Sequence, residues 1–237
     1  MIPFRDNAAP RRLTPINIAL IAINVAVFVY EVSLGPNLGG FVDRFAMVPG
    51  AIDASIRLRA HLAIPLGARL MPLVTIITSM FLHGGFWHIA GNMLYLYIFG
   101  AAVEWRMGSR RYLYFYFLSG IAAALATVLI TPASQVPVIG ASGAIAGVLG
   151  AYFVFFPRGR ISTILPIFIF IQVVEIPAVI YLLLWFGLQL YSGLSEGSAA
   201  AAMGGVAWWA HIGGFMFGLL LAPLIADERK RNRIGRR

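Results

Sequence analysis

Six long apolar stretches, at residues 16–34, 86–103, 112–130, 140–156, 175–191 and 206–225, recur along the chain and limit what it can fold into. A helix that crosses a bilayer needs about 20 mostly apolar residues, so each stretch has the length of a spanning segment. Of the 237 residues 60% are apolar and 11% charged, where a soluble domain carries roughly a quarter charged residues. A water-soluble fold is excluded. The pattern predicts a single all-α membrane domain, a bundle of six transmembrane helices with a long loop between the first two spans. The fifth stretch is ambiguous, because 161–191 is apolar for too long and is interrupted by Pro166 and Pro177. We read 161–172 as an interfacial segment and expect the span to open near Glu175. No internal repeat is visible, which weakens an inverted-repeat transporter reading.

The net charge of +9 could suggest nucleic acid, but on so apolar a chain it reports orientation. With 1–15 inside, every other segment between spans lies inside as well. Those segments hold all 18 Lys and Arg residues except Arg44, Arg57, Arg59 and Arg69, which lie in the long loop. Both termini are therefore expected in the cytoplasm, with the basic tail of 226–237 on anionic lipid and no nucleic-acid partner. The loop of 35–85 alternates apolar and basic residues around Ile56 to Arg59, as an amphipathic element on the membrane would; a plain packing element fits equally. A compact six-span form without added domain or presequence points to a bacterial plasma membrane. There is no cysteine, so thiol chemistry is absent, and neither a metal nor another cofactor is expected.

Against this background, polar residues inside spans are the candidates for function. Ser142 opens the fourth span, His211 lies about one turn into the sixth, and His88 and Asn92 lie near the start of the second. All three spans run from outside to inside, so topology alone brings the four side chains to one depth. A serine hydroxyl needs a base to become a nucleophile, and histidine suits that task near neutral pH. Small residues recur at four-residue spacing from each: Ser142, Ala146 and Gly150 on one helix, and Ala210, Gly214 and Gly218 on the other. Such faces allow close helix approach. Ser142 also offers a free first-turn N–H to an oxyanion, and His88 and Asn92, four apart on one face, could complete that hole. His83 and His88 are five apart and off a common face, which argues against a zinc pair.

No acid lies at this depth: Glu31, Asp43, Asp53 and Glu196 fall in outer loops or at span ends. A Ser–His dyad is expected rather than a triad. Singly, an intramembrane Ser bonds back to its own helix and a His bridges two helices; the four at one depth favour a site. Glu175, Glu104 and Arg106 read as helix-end residues at the inner interface, and Trp87, Trp105, Trp185, Trp208 and Trp209 as interfacial anchors.

Taken in order, HGGFWHIAGN, GAAVEWRMG, GASG around Ser142, EIPAVIYLLLWFGLQ and AHIGGFMFG around His211 make the chain resemble a bacterial-type rhomboid intramembrane serine protease over nearly its whole length. The resemblance implies cleavage of single-span or multi-span membrane proteins near the outer face. Ser142 would be the nucleophile and His211 the base and then acid, with His88, Asn92 and the Ser142 backbone around the oxyanion. Gly140 corresponds to the glycine of the serine motif, Gly143 follows the serine, and Gly214 and Gly218 correspond to close-packing glycines of the last helix. Some members carry an aromatic residue four positions after the serine, stacked on the histidine, where this chain has Ala146. The imidazole is then held less rigidly or packed by another side chain. The competing class is a catalytically silent membrane chaperone or transporter using the same polar cavity. A metalloprotease or aspartyl protease lacks support, as there is neither an HExxH pattern nor a pair of intramembrane aspartates.

Overall fold

The computed structural model describes residues 2–8, 14–57, 66–167, 170–195 and 207–226. A strand, β1 (Ile2–Asp6), precedes α1 (Pro15–Ser33), where Pro15 takes a first-turn position that needs no N–H. The long connection holds α2 (Leu38–Phe45), α3 (Pro49–Arg57) and α4 (Leu66–Thr78). Next, α5 (Phe86–Tyr95) runs through a π-helical turn (Leu96–Gly100) into α6 (Ala101–Met107), and α7 (Ser109–Ile130) returns. The chain continues through α8 (Ser142–Phe155), a hairpin of β2 (Arg160–Ile167) and β3 (Phe170–Pro177), then α9 (Ala178–Ser195) and α10 (Trp208–Ile225).

Among the described residues, five helices are long and apolar enough to cross a bilayer: Pro15–Ser33, Phe86–Met107, Ser109–Ile130, Ala178–Ser195 and Trp208–Ile225. The fourth apolar stretch forms the shorter α8, of 14 residues, about 21 Å at 1.5 Å per residue. Every residue from Gly143 to Tyr152 is buried, so α8 is surrounded by protein and its length need not match the hydrocarbon thickness. It is the central helix of the bundle. Its tightest partner is α10: a Cβ on Gly214 would collide with the Gly143 carbonyl oxygen, one on Gly218 with that of Gly147, and one on Gly150 with that of Phe215. The line of closest approach on α8 thus runs through Gly143, Gly147 and Gly150, one residue off the Ser142–Ala146 face read from spacing. Backbones meet there because no side chain intervenes.

The 161–172 segment and the start of the fifth span differ from expectation. β2 pairs antiparallel with β3, and β1 adds to the other edge of β2, giving the order β1-β2-β3. Glu175 is exposed in β3 opposite Ser162, and the helix begins at Ala178. The physical reason is that the apolar run here is β-branched (Ile161, Thr163, Ile164, Val173, Val174, Ile176) and can pair its backbone within a hairpin. The sheet is tied to α8 by Tyr152, whose hydroxyl donates to Asp6 Oδ2 at 3.0 Å. Burial raises the Asp6 carboxyl above its ordinary range, against the lowering effect of that bond.

At this sheet end Glu104, in the last turn of α6, is 2% exposed. Its carboxylate accepts the N–H groups of Ile16 (3.2 Å) and Asn17 (2.7 Å) and the Ser109 hydroxyl (2.6 Å). The acid caps α1 from another helix, where Thr14 makes no side-chain cap. Asn17 in turn donates to the Leu96 carbonyl at 2.9 Å in the π turn and accepts the Tyr112 hydroxyl at 2.7 Å. Arg111, one of the basic residues of the α6–α7 turn, donates to the last-turn carbonyl of Ile225 (3.2 Å). Of the other basic residues read for orientation, Arg11, Arg12, Arg59 and the tail lie outside the described residues, as do Glu196 and Val206.

Described parts of the long connection pack against the bundle, while 58–65, with half of the stretch that alternates apolar and basic residues, lie outside the described residues. Met47 and Ile52 are buried against Ala124 and Val128 of α7, and Met47 pairs with Val138. Glu31, at the end of α1, accepts the His83 N–H at 3.2 and 3.3 Å through its two oxygens, which pins the loop before α5.

Candidate active site

The N-terminal ends of α5, α8 and α10 meet at the end of the bundle opposite the sheet. There the Ser142 hydroxyl lies 2.8 Å from His211 Nε2. Ser142 is the first residue of α8, and His211 the fourth of α10, so the glycine contacts that draw these helices together also set this distance. Ser142 N–H belongs to the unpaired first turn.

Across the serine stand His88 and Asn92, on one face of α5. The Gly84 N–H donates to His88 Nδ1 (3.3 Å), which leaves Nε2 of the neutral ring as the protonated, donating nitrogen. A Cβ built on Gly140 would lie 2.8 Å from that Nε2 and 3.6 Å from Asn92 Nδ2. Gly140 itself has φ +119° and its N–H donates to the Ser79 carbonyl at 2.8 Å, so only glycine suits this position. Asn92 Nδ2 is buried with no hydrogen-bond partner among the described residues. A buried donor left this way is free to meet an acceptor that enters the site. The His83 and His88 rings do meet, edge to face at 5.2 Å, because His83 precedes the helix and the five-residue spacing argument does not apply to it.

These groups line one cavity of about 750 Å³, which also touches Trp87, Trp185, Trp208, Ser134 and residues 136–139 before α8. Among the described residues no cluster of three or more His, Cys, Asp or Glu is placed to hold a metal.

Three residues at the site, Gln189, Trp185 and Trp208, are not assigned to it by the sequence alone. Gln189 of α9 lies with Oε1 2.7 Å from His211 Nδ1. Trp185, one turn earlier, faces the imidazole at 5.9 Å with a 37° tilt, and Trp208 meets it edge-on at 6.2 Å. Both indoles, expected as interfacial anchors, pack against the imidazole. The signal was present: Gln189 is a polar amide inside an apolar span, four residues from a tryptophan and so on its face.

The chain matches the family model described as a Rhomboid domain over residues 72–228, more than half its length. It is 31% identical over 166 residues to "Rhomboid protein 1, mitochondrial" of Saccharomyces cerevisiae, covering 68% of this chain and 44% of that protein. Over 77 residues it is 40% identical to "Putative rhomboid protease YdcA" of Bacillus subtilis, covering 32% of this chain and 38% of that protein. Over 76 residues it is 43% identical to "Rhomboid protease GluP" of the same organism, covering 32% of this chain and 14% of that protein. The matches thus span less than half the length of these relatives. The matched region runs from α4 to the end of α10 and contains every residue of the site just described. With its membrane-length helices, the chain is an integral membrane protein that belongs to the rhomboid family.

Proposed function

We propose that this protein is an intramembrane serine endopeptidase that hydrolyses peptide bonds in or beside transmembrane segments of other membrane proteins. The observation that carries the reading is the 2.8 Å contact between the Ser142 hydroxyl and His211 Nε2, facing the donors of His88 and Asn92 across Gly140. Family membership supports it, since rhomboids are generally intramembrane serine proteases, though some are inactive.

In this mechanism Ser142 Oγ attacks the scissile carbonyl carbon while His211 Nε2 takes the hydroxyl proton. The carbonyl oxygen becomes an oxyanion and accepts from His88 Nε2–H, Asn92 Nδ2–H and the Ser142 N–H. The C–N bond breaks as His211 returns the proton to the leaving nitrogen, and an acyl-serine remains. Water then enters the cavity, loses a proton to His211 and releases the second product with Ser142 restored. A helical amide is shielded by its own hydrogen bonds, so substrates must unwind locally. Segments with small or helix-breaking residues near the site end are the preferred class. Both termini lie in the cytoplasm, with the basic tail on anionic lipid, and the membrane is the bacterial inner membrane.

The test is Ser142→Ala on purified protein reconstituted with a single-span substrate. Cleavage should fall by at least about 10⁴-fold, because the nucleophile is gone. Labelling by a serine-reactive phosphonate should disappear with it, and also with His211→Ala. A variant that cleaves like the parent ends the proposal, and a parent that binds segments without cutting them points to a silent chaperone.

A further inference from the structure

The geometry points to Gln189 as a positioning residue for His211, a neutral third member that fixes which imidazole nitrogen is the base. The kinetic consequences rest on the proteolytic reading above; the tautomer does not. His211 Nδ1 and Gln189 Oε1 are 2.7 Å apart, and both side chains are buried. Which amide atom faces the ring is settled by the other end of the group. Gln189 Nε2 donates to the Trp185 carbonyl at 3.2 Å, one turn back on α9. That bond needs the NH₂ on the α9 side and turns the carbonyl oxygen toward the imidazole. An amide oxygen only accepts, so the short contact requires a proton on Nδ1. The neutral ring then carries its lone pair on Nε2, 2.8 Å from Ser142 Oγ.

The alternative tautomer is unfavourable on both sides. It would set a bare Nδ1 against a carbonyl oxygen and an N–H against the serine, leaving the hydroxyl without its base. Among the described residues, the groups in contact with the ring are Ser142 of α8, Gln189 and Trp185 of α9, and Trp208 of α10 itself. None of these is an acid. Gln189 therefore supplies what an orienting carboxylate supplies in geometry, without a charge to favour the imidazolium. Trp185 shares its helix and restrains the ring plane from the same side. Orientation of the base thus comes from α9, although the nucleophile and the base sit on α8 and α10.

The experiment uses the full chain in liposomes with two substitutions. Gln189→Met keeps the length and bulk of the side chain and removes the acceptor; Gln189→Glu restores an acceptor. Steady-state cleavage of a single-span substrate is measured with nitrogen-15 NMR of histidine-labelled protein, the His211 signals being assigned by their loss in His211→Ala. Gln189→Met should lower kcat about 10²-fold with KM within about twofold, the low end of what a misplaced acid–base group costs. Gln189→Glu should recover most of that loss. His211 should be protonated at Nδ1 in the parent and mixed in Gln189→Met. The assignment is overturned if Gln189→Met keeps its kcat and its Nδ1 proton, or if Gln189→Glu is no better than Gln189→Met. Should the methionine variant fail to fold, a parent His211 protonated at Nε2 overturns it without any substitution. Failure of the proteolytic reading looks different: Ser142→Ala then matches the parent, while the NMR still reports on Gln189.

Discussion

The bundle has a polar cluster at each end, and the two are built on opposite rules. At the sheet end, Glu104, Asn17, Tyr112 and Ser109 form a closed set in which both carboxylate oxygens, the amide and the phenol all have partners. At the other end, Ser142, His211 and Gln189 are joined, yet Asn92 Nδ2 and Trp208 Nε1 are buried without partners among the described residues. That second cluster also lines a cavity, whereas the first is absorbed into the junction of α1, α6 and α7. In a low-dielectric bundle an unpaired donor is costly, so a fold that keeps one gains something from it later. The comparison teaches a criterion: a satisfied cluster holds the structure, and one with spare donors waits for a ligand.

Asn92→Ala should break the comparison most visibly if the criterion is wrong. It removes the spare donor, and loss of one oxyanion donor costs about 10² to 10³ in kcat. Thermal stability in detergent should stay level or rise, since no existing bond is lost. A kcat unchanged from the parent, or a large drop in stability, would place Asn92 with the structural residues.

Glu104→Gln is the converse. Charge-assisted bonds to the α1 N–H groups are weakened, at a cost of about 2 kcal/mol, and one amide hydrogen faces a donor. Unfolding in a detergent titration should come earlier, while kcat of the folded fraction stays within about twofold. Lower kcat at unchanged stability would mean that the two ends are coupled and that the clusters do not divide in this way.

The bundle was legible because apolar stretches of spanning length have few other uses, and Ser142, His88, Asn92 and His211 stood out as polar residues within them. Their common end of the bundle followed from helix direction alone. The hairpin was not legible: a β-branched apolar run bounded by prolines reads as an interrupted span, and its outer partner, β1, lies at the far N-terminus. The capping role of Glu104 was not legible for a similar reason, since the N–H groups it caps are 87 and 88 residues away in the chain. Gln189 was hidden by an assumption rather than by distance, because an orienting group was sought among acids only. The central position of α8 shows in hindsight in its glycine and alanine content, which suits burial among helices better than contact with lipid.

Asp6→Asn should give the smallest effect, and it tests whether the sheet end answers to pH through stability alone. The Asp6 carboxyl is raised chiefly by burial, so the folded protein holds its proton more tightly than the unfolded chain does. Stability from this group is then full below the ordinary aspartate range and falls as pH rises through the raised value. Asparagine mimics the neutral acid and can still accept the Tyr152 hydroxyl. The variant should therefore be slightly more stable than the parent at neutral pH, with the difference vanishing once the parent is acidified below the range of a free aspartate. Detergent unfolding curves at both pH values measure this, and kcat should not change between the two proteins. A gain that persists in acid would mean that the neutral Asp6 side chain is itself poorly accommodated, and that the sheet end, like the site, carries an unsettled polar group.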